Sequence, residues 1–313
     1  MTVARAPGMR MGVVFPHTEI EPEANAIRAY AQTVEELGFD HVLVYDHVTS
    51  VDADVHSDFG EQAKRDGATS AKPYDLTDPF HEVMVLMGFL AGVTGLDLAT
   101  GILVLPQRST ALVAKQAIEV DILCGGRLRL GVGIGWNRLE YRSLGARFDD
   151  RAARLERQVA LLRQYWTQQT LDAETPDDWA VGMGLAPLPV QRPIPIWLAG
   201  GLPLALRRVA RLADGWIPVG VQPARLGKPL QAIRDEAVRV GRDPDAIGIQ
   251  GRLAVAGRGE EEVLGEIEQW RQLGTTHLAL NTMGAGLRGA TEHAAALERI
   301  VSAGGKRGRA AIL

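Results

Sequence analysis

The amino-acid sequence predicts an α/β protein: a (β/α)8 TIM barrel with long insertions after strand two and before strand five, built as one domain over residues 1–313. Two observations carry this. Apolar segments of strand length alternate with stretches of helical periodicity, and the alternation runs through eight rounds in a chain of a length that α/β barrels use as a single domain. An open doubly wound sheet is assembled from the same units and is the alternative.

The rounds follow in order. Met9–Phe15 reads as a strand, and Glu23–Leu37 as a helix whose apolar positions recur at helical spacing until Gly38 ends it. His41–His47 is the second strand, followed by a polar stretch at 48–77. A helix over 79–93 leads to a third strand, Leu96–Val104, and a helix over 110–123 leads to a fourth, Arg127–Gly135. Residues 149–167 form a charged, strongly periodic helix. After a second interruption at 168–194 come Pro195–Gly200, a helix over 203–213 and Gly215–Gly220. A helix over 223–240 with Ile247–Ala256, then Glu260–Leu273 with His277–Met283, complete the strands, and a helix at about 291–303 closes the chain. Loops as long as 48–77 and 168–194 are usually functional, as lids or binding loops, or disordered. In such a barrel the chemistry is expected at the C-terminal ends of the strands.

Composition narrows the partners. Lys plus Arg number 34 against 38 Asp plus Glu, a formal charge of −4, with no basic block, so a small molecule is expected rather than nucleic acid. The single cysteine, Cys124, allows no internal disulfide and no thiolate metal cluster, which suits a cytoplasmic protein. No leader is legible, and the apolar run around 83–96 is too short and too interrupted for a bilayer.

The stretch "GGRLRLGVGIGWN" at 125–137 resembles a dinucleotide loop without being one. The G-x-G-x-x-G fingerprint places its third glycine one residue later and opens a helix at once, whereas here Trp136 and Asn137 follow Gly135. A strand's two-residue period puts Leu128, Leu130, Val132 and Ile134 on one face and Gly131, Gly133 and Gly135 on the other. A flat or bulky ligand can approach such a stripped face, and so can another segment of backbone.

Strand ends supply the candidate chemistry. The second strand ends in Asp46 and His47, and imidazole suits proton transfer near neutral pH, although a histidine there can also be structural. His17 follows the first strand and shares the expected pocket. His41 opens a strand at the opposite face, His56 lies in the polar loop, and His81, His277 and His293 read as helix or packing positions. No histidine or carboxylate pair has metal-ligand spacing, so no metal is expected. After the fifth strand, Gly200 and Gly201 leave backbone N–H groups uncovered before Pro203 opens a helix, which fits a phosphate cradle or simply a tight turn. Nucleophile-elbow, P-loop and C-x-x-C motifs are missing, leaving a glycine-lined pocket suited to a large cofactor.

The run from "TGILVLPQRSTALVAKQ" through "GGRLRLGVGIGWNRLEYRSLGARFDD" to "LLRQYW" resembles the bacterial luciferase-like superfamily, and within it the branch that uses the 8-hydroxy-5-deazaflavin coenzyme F420. "DHV" after strand two, "PLPVQRPIPIWLAGG" before the fifth helix and "DGWIPVG" after it extend the likeness over about residues 10–220. The resemblance implies that Asp46 and His47 contact the deazaflavin, with His47 as the proton-transfer residue. It implies that Gly101, Ile102 and Val104 support the ring at a bulge whose Gly101–Ile102 peptide is cis. Gly133 and Gly135 would line the ring site, Gly200 and Gly201 would hold the phosphate, and Trp136 with His17 would face the substrate. On this reading the glycines make room for a flavin-like ring and substrate. The implied activity is hydride transfer between F420 and a small, mostly apolar molecule, in a homodimer. An FMN-dependent monooxygenase and a non-catalytic flavin-binding relative are the alternatives. Trp136 stands where sugar-phosphate dehydrogenases of the superfamily carry glutamate, Val104 where they carry a hydroxyl residue, and Cys124 where many relatives have serine.

Overall fold

A computed structural model of the chain describes residues 8–68 and 74–305. Nine parallel strands form the barrel: β1 (Arg10–Val14), β2 (His41–Val44), β3 (Asp97–Thr100), β4 (Leu103–Val104), β5 (Leu128–Gly133), β6 (Ile196–Ala199), β7 (Gly215–Ile217), β8 (Gly248–Ala254) and β9 (His277–Asn281). β9 pairs with both β1 and β8, and β3 pairs with β2 on one side and β5 on the other, so no edge is left. The structure is therefore the (β/α)8 barrel that the sequence predicts, with one strand more than eight. The extra strand comes from the third segment, read as one piece over Leu96–Val104. It breaks at Gly101 and Ile102, whose peptide bond is cis, and resumes as β4 against β5.

Around the barrel run α1 (Ala24–Glu36), α2 (Phe59–Asp66), α3 (Val83–Val93), α4 (Thr110–Leu123), α5 (Arg138–Ser143), α6 (Arg151–Thr167), α7 (Pro203–Leu212), α8 (Gly227–Arg239), α9 (Glu260–Gln272) and α10 (Gly289–Gly305). Among the described residues no helix is long and apolar enough to cross a membrane. The short α2 and α5 escape periodicity because neither runs long enough to repeat a face. The helix expected over 79–93 begins only at Val83, where the Glu82 carboxylate caps it by accepting the Val85 N–H at 2.8 Å. Residues 79–82 are thereby freed from the helix, and Phe80 and His81 turn to the mouth of the barrel.

The alternation of β5 holds. Leu128, Leu130 and Val132 are fully buried within the large apolar core, while Arg129 points into the barrel, donates to Gln250 Oε1 at 3.1 Å and lies 4.8 Å from the Trp197 ring centre. Trp197 fills the space left by Gly215 and Gly248, where a Cβ would strike its ring. Gly12 in the same way leaves room for the His41 ring. The N-terminal end of the barrel is thus filled by large polar and aromatic side chains over residues that lack them.

One expectation is corrected. The 168–194 segment follows α6 and precedes β6, so it enters β6 at the N-terminal end of the barrel, opposite the end where βα loops gather. Gln191 fastens it to Asp121 and to the Leu128 carbonyl, and antiparallel bridges Leu171–Met183 and Glu174–Trp179 give it its own structure. It cannot serve as a lid over the mouth. The 48–77 insertion follows β2 and so leaves the barrel at the C-terminal end.

The barrel floor makes stability pH-dependent. Burial, then the positive charges of Arg129 and Arg10 and the neighbouring His277, hold the His41 pKa well below its ordinary value of 6.5. Unfolded chains take up a proton there that the folded protein refuses, so this contribution is intact above about pH 6.5 and is lost as the pH falls. We expect urea-derived stability to fall below pH 6, and His41→Asn to flatten that slope by about 1.4 kcal/mol per pH unit. An unchanged slope in the variant refutes this account.

Candidate functional site

Asp46 follows β2, is 3% exposed, and has both carboxylate oxygens taken. Oδ2 accepts the Val104 N–H at 2.9 Å and Oδ1 accepts from Arg108 Nη2 at 2.7 Å. Arg108 Nη1 in turn donates to Glu82 at 3.1 Å. Burial raises the Asp46 carboxyl above its ordinary value, and the Arg108 guanidinium and the Val104 N–H oppose that rise. Asp46 therefore fixes the end of β2 to β4 and to the starts of α3 and α4.

His47 is turned the other way. Its side chain is 20% exposed, and its buried Nδ1 faces Glu140 Oε2 at 3.9 Å, which leaves Nε2 on the open side of the ring. Glu140 was not among the residues singled out from sequence. Its other oxygen accepts the N–H groups of Val48 and, at 3.2 Å, of Thr49. Burial pushes the Glu140 carboxyl up, but the nearby His47 and those two N–H groups outweigh it and hold the group below its ordinary value. A buried carboxylate thus sits behind the imidazole, on the side away from Nε2.

Glu140 is placed by α5. Asn137 Oδ1 accepts the N–H groups of Leu139 and Glu140, both at 3.1 Å, and so caps the helix. Asn137 and Glu140 have the spacing of a capping box, which is the signal that could have revealed this helix. The glutamate reaches across to the other chain segment instead of back to its own cap.

Aromatic side chains close around His47. Tyr74 lies 3.8 Å from it between ring centres, Phe80 4.7 Å and Trp136 6.2 Å, and Phe59 from α2 packs 5.8 Å from Trp136. Tyr74 is held by the Asn137 side-chain N–H at 2.7 Å. Trp136 therefore stands where the sequence places it, but Phe59, Tyr74 and Phe80 come from the irregular stretch and its flank, where no periodicity marks a side chain's direction.

His17 is fully buried at the end of β1 and stacks between Tyr45, at 5.9 Å, and Phe80, at 5.4 Å. Its Nε2 accepts the Tyr45 N–H at 2.8 Å. Burial, helped by His81 and His47, lowers its pKa to about 3, so it stays neutral. His81, read as a helix or packing residue, lies beside this group, with its ring 6.3 Å from that of Phe15.

The glycines of β5 make room one step removed from a ligand. A Cβ on Gly131 would strike the Thr100 carbonyl and Ile217, one on Gly133 would meet Ile102, and one on Gly135 would meet Val104. Protein atoms fill the face that the sequence leaves bare, and Ile102, next to Gly133, is only partly buried. The Val104 side chain packs instead against Tyr141 and Phe148. At the end of β6, Gly200 has φ +148°, and its carbonyl accepts Trp216 Nε1–H at 2.7 Å. Gly201 is exposed, and α7 begins without a side-chain cap, so the N–H groups of its first turn are uncovered.

With this geometry in place, the comparisons with known proteins are specific. The luciferase-like monooxygenase profile matches residues 9–310. The phthiodiolone/phenolphthiodiolone dimycocerosates ketoreductase of Mycobacterium tuberculosis is 29% identical over 272 residues, 82% of this chain and 68% of that one. Among solved structures, an F420-dependent secondary alcohol dehydrogenase in complex with an F420-acetone adduct superposes with a TM-score of 0.75 at 15% identity, over 95% of this chain and 99% of that one. A long-chain alkane monooxygenase does so with a TM-score of 0.74 at 14% identity, over 97% and 92%. A monooxygenase from Streptomyces bottropensis gives 0.72 at 19% identity, over 94% and 98%.

Asn137 both caps α5 and anchors Tyr74, so Asn137→Ala removes two hydrogen-bonded functions at once. We expect a loss of about 1–3 kcal/mol in urea unfolding and faster protease cleavage within 48–77. Wild-type cleavage rates in the variant refute the anchoring role.

Proposed function

The chain belongs to the luciferase-like monooxygenase family, and from that premise we propose that it is an oxidoreductase moving a hydride between coenzyme F420 and a small, mostly apolar organic substrate. The observation that carries the reading is His47, backed by the buried Glu140 carboxylate and ringed by Tyr74, Phe80 and Trp136.

The residues fit a deazaflavin. The uncovered N–H groups at Gly201 and the first turn of α7 form an anion cradle of the kind a phosphate uses, with Gly200 giving the backbone its turn. Ile102, set between β3 and β4 and backed by Gly133, offers an apolar surface for a flat ring. When bound, the coenzyme supplies or accepts the hydride. His47 Nε2 gives or takes the proton at the substrate atom facing it, and Glu140 stabilises the imidazolium form while the proton is held there. The aromatic wall excludes water, and Asp46 keeps the end of β2, and so His47, in place. Trp136 and the wall beside His17 contact the substrate. A homodimer belongs to the same reading, supported by α3, which carries no charged residue and leaves Val85 72% exposed, and by α4, which leaves Leu112 57% exposed.

An FMN-dependent monooxygenase is the second reading, supported by the similar fold of the oxygenating constituent of a diketocamphane monooxygenase in complex with FMN, with a TM-score of 0.60. Titration of the apoprotein with both cofactors, followed by tryptophan fluorescence, separates the two. F420 is expected to bind at least about tenfold more tightly than FMN, a difference of about 1.4 kcal/mol. Equal or inverted affinities favour the monooxygenase.

His47→Ala is expected to lower turnover by about 10²–10⁴-fold while cofactor affinity changes far less. A variant that keeps its rate and loses only thermal stability makes His47 a packing residue.

A further inference from the structure

Arg252 lies on β8 and reaches across the lumen of the barrel. Its Nη1 donates to the Tyr45 hydroxyl at 3.2 Å, and its guanidinium carbon lies 5.5 Å from the centre of the Tyr45 ring. Among the described residues no carboxylate forms an ion pair with it. Arg258, six residues on, shows the contrast, being paired with both Glu262 and Glu266. Arg252 is partly buried, and a cation withdrawn from water is ordinarily paired.

Its surroundings are short of acceptors. Beneath Tyr45 lies a small apolar plug of Val14, Leu43, Ala99 and Ala279, which closes the barrel below the mouth. The Tyr45 oxygen takes a hydrogen from Arg252 and keeps its own proton to donate. His17, stacked on the same ring, accepts the Tyr45 N–H through Nε2, so its proton sits on Nδ1, and that buried group has no acceptor. Guanidinium, hydroxyl and imidazole N–H are donors gathered over an apolar plug, beside the aromatic wall that encloses His47. A planar group with two negative oxygens matches the guanidinium fork best.

We propose that the floor of the mouth is a carboxylate site: Arg252 and Tyr45 hold an acid group of the substrate while the wall of Phe80, Tyr74 and Trp136 covers its apolar body, with His17 buried behind Phe80. This rests on the reading of the mouth as the substrate pocket and narrows the substrate class to apolar, ring-bearing carboxylic acids. The site selects against the neutral counterparts, because an amide leaves the guanidinium without its counter-charge.

Calorimetric titration of the apoprotein with benzoate and 2-naphthoate, against benzamide and 2-naphthamide, tests this near neutral pH. The acids are expected to bind at least about tenfold more tightly than the amides, about 1.4 kcal/mol. Arg252→Met is expected to abolish the preference, Arg252→Lys to keep part of it, and Tyr45→Phe to weaken acid binding severalfold. The last two carry the test if Arg252→Met does not fold. Equal binding of acids and amides by the wild type, or a preference that survives in Arg252→Met, overturns the proposal. So does a cofactor-saturated protein that no longer binds acid while Arg252→Met weakens F420 or FMN, since the guanidinium then serves the cofactor. Acid binding is read without any cofactor. A protein that prefers acids but binds neither F420 nor FMN overturns the oxidoreductase reading alone.

Discussion

The mouth of this barrel depends on one buried carboxylate. Asp46 accepts the Val104 N–H and the Arg108 guanidinium, and Arg108 hands the interaction on to Glu82. Through those three bonds the end of β2, the resumed strand β4 and the start of α3 are set relative to one another. His47 is the next residue in the chain, Ile102 precedes β4, and Phe80 precedes the α3 cap, so these three sides of the pocket hang from this chain of charges, while Tyr74 is held by Asn137. A carboxylate this deep persists only with its partners, and removing one leaves the other uncompensated.

The second constraint is the separation of polar and apolar duties around His47. On its buried side are Glu140 and the backbone N–H groups of Val48 and Thr49, while its open side meets only rings. The imidazole is thereby oriented by charge and surrounded by surfaces that bind apolar matter. At the opposite end of the barrel, Arg129 is half-buried, and loss of water around it lowers its pKa to about 9. Polar side chains thus occupy both ends of the lumen, with the plug of Val14, Leu43, Ala99 and Ala279 between them. The lower set fills space left by glycines, and the upper set faces the mouth.

The fold is shared by an F420-dependent secondary alcohol dehydrogenase and by the oxygenating constituent of a diketocamphane monooxygenase in complex with FMN. What separates members is carried by side chains at the strand ends and by the loops that cover them. Around His47 in this chain these are Trp136, just beyond β5, with Phe59, Tyr74 and Phe80 from the stretch after β2.

The sequence by itself determined the barrel, because strand alternation and helical periodicity are local and each strand reports its own two faces. It also showed which residues follow the strands, so His47, Trp136, Gly200 and Gly201 lie just beyond the C-terminal ends of β2, β5 and β6. Only the tertiary structure decided what lies across from them. Glu140 meets His47, Tyr74 meets Asn137, and Arg252 meets Tyr45 over sequence separations that no periodicity spans. The length of the 168–194 segment suggests a lid, but its place between a helix and the following strand sends it to the N-terminal end of the barrel. The bare face of β5 is the clearest case: its glycines are plain in the sequence, but Thr100, Ile102, Val104 and Ile217 fill that space from neighbouring strands. Local pattern fixes which way a side chain points, and packing fixes what it meets.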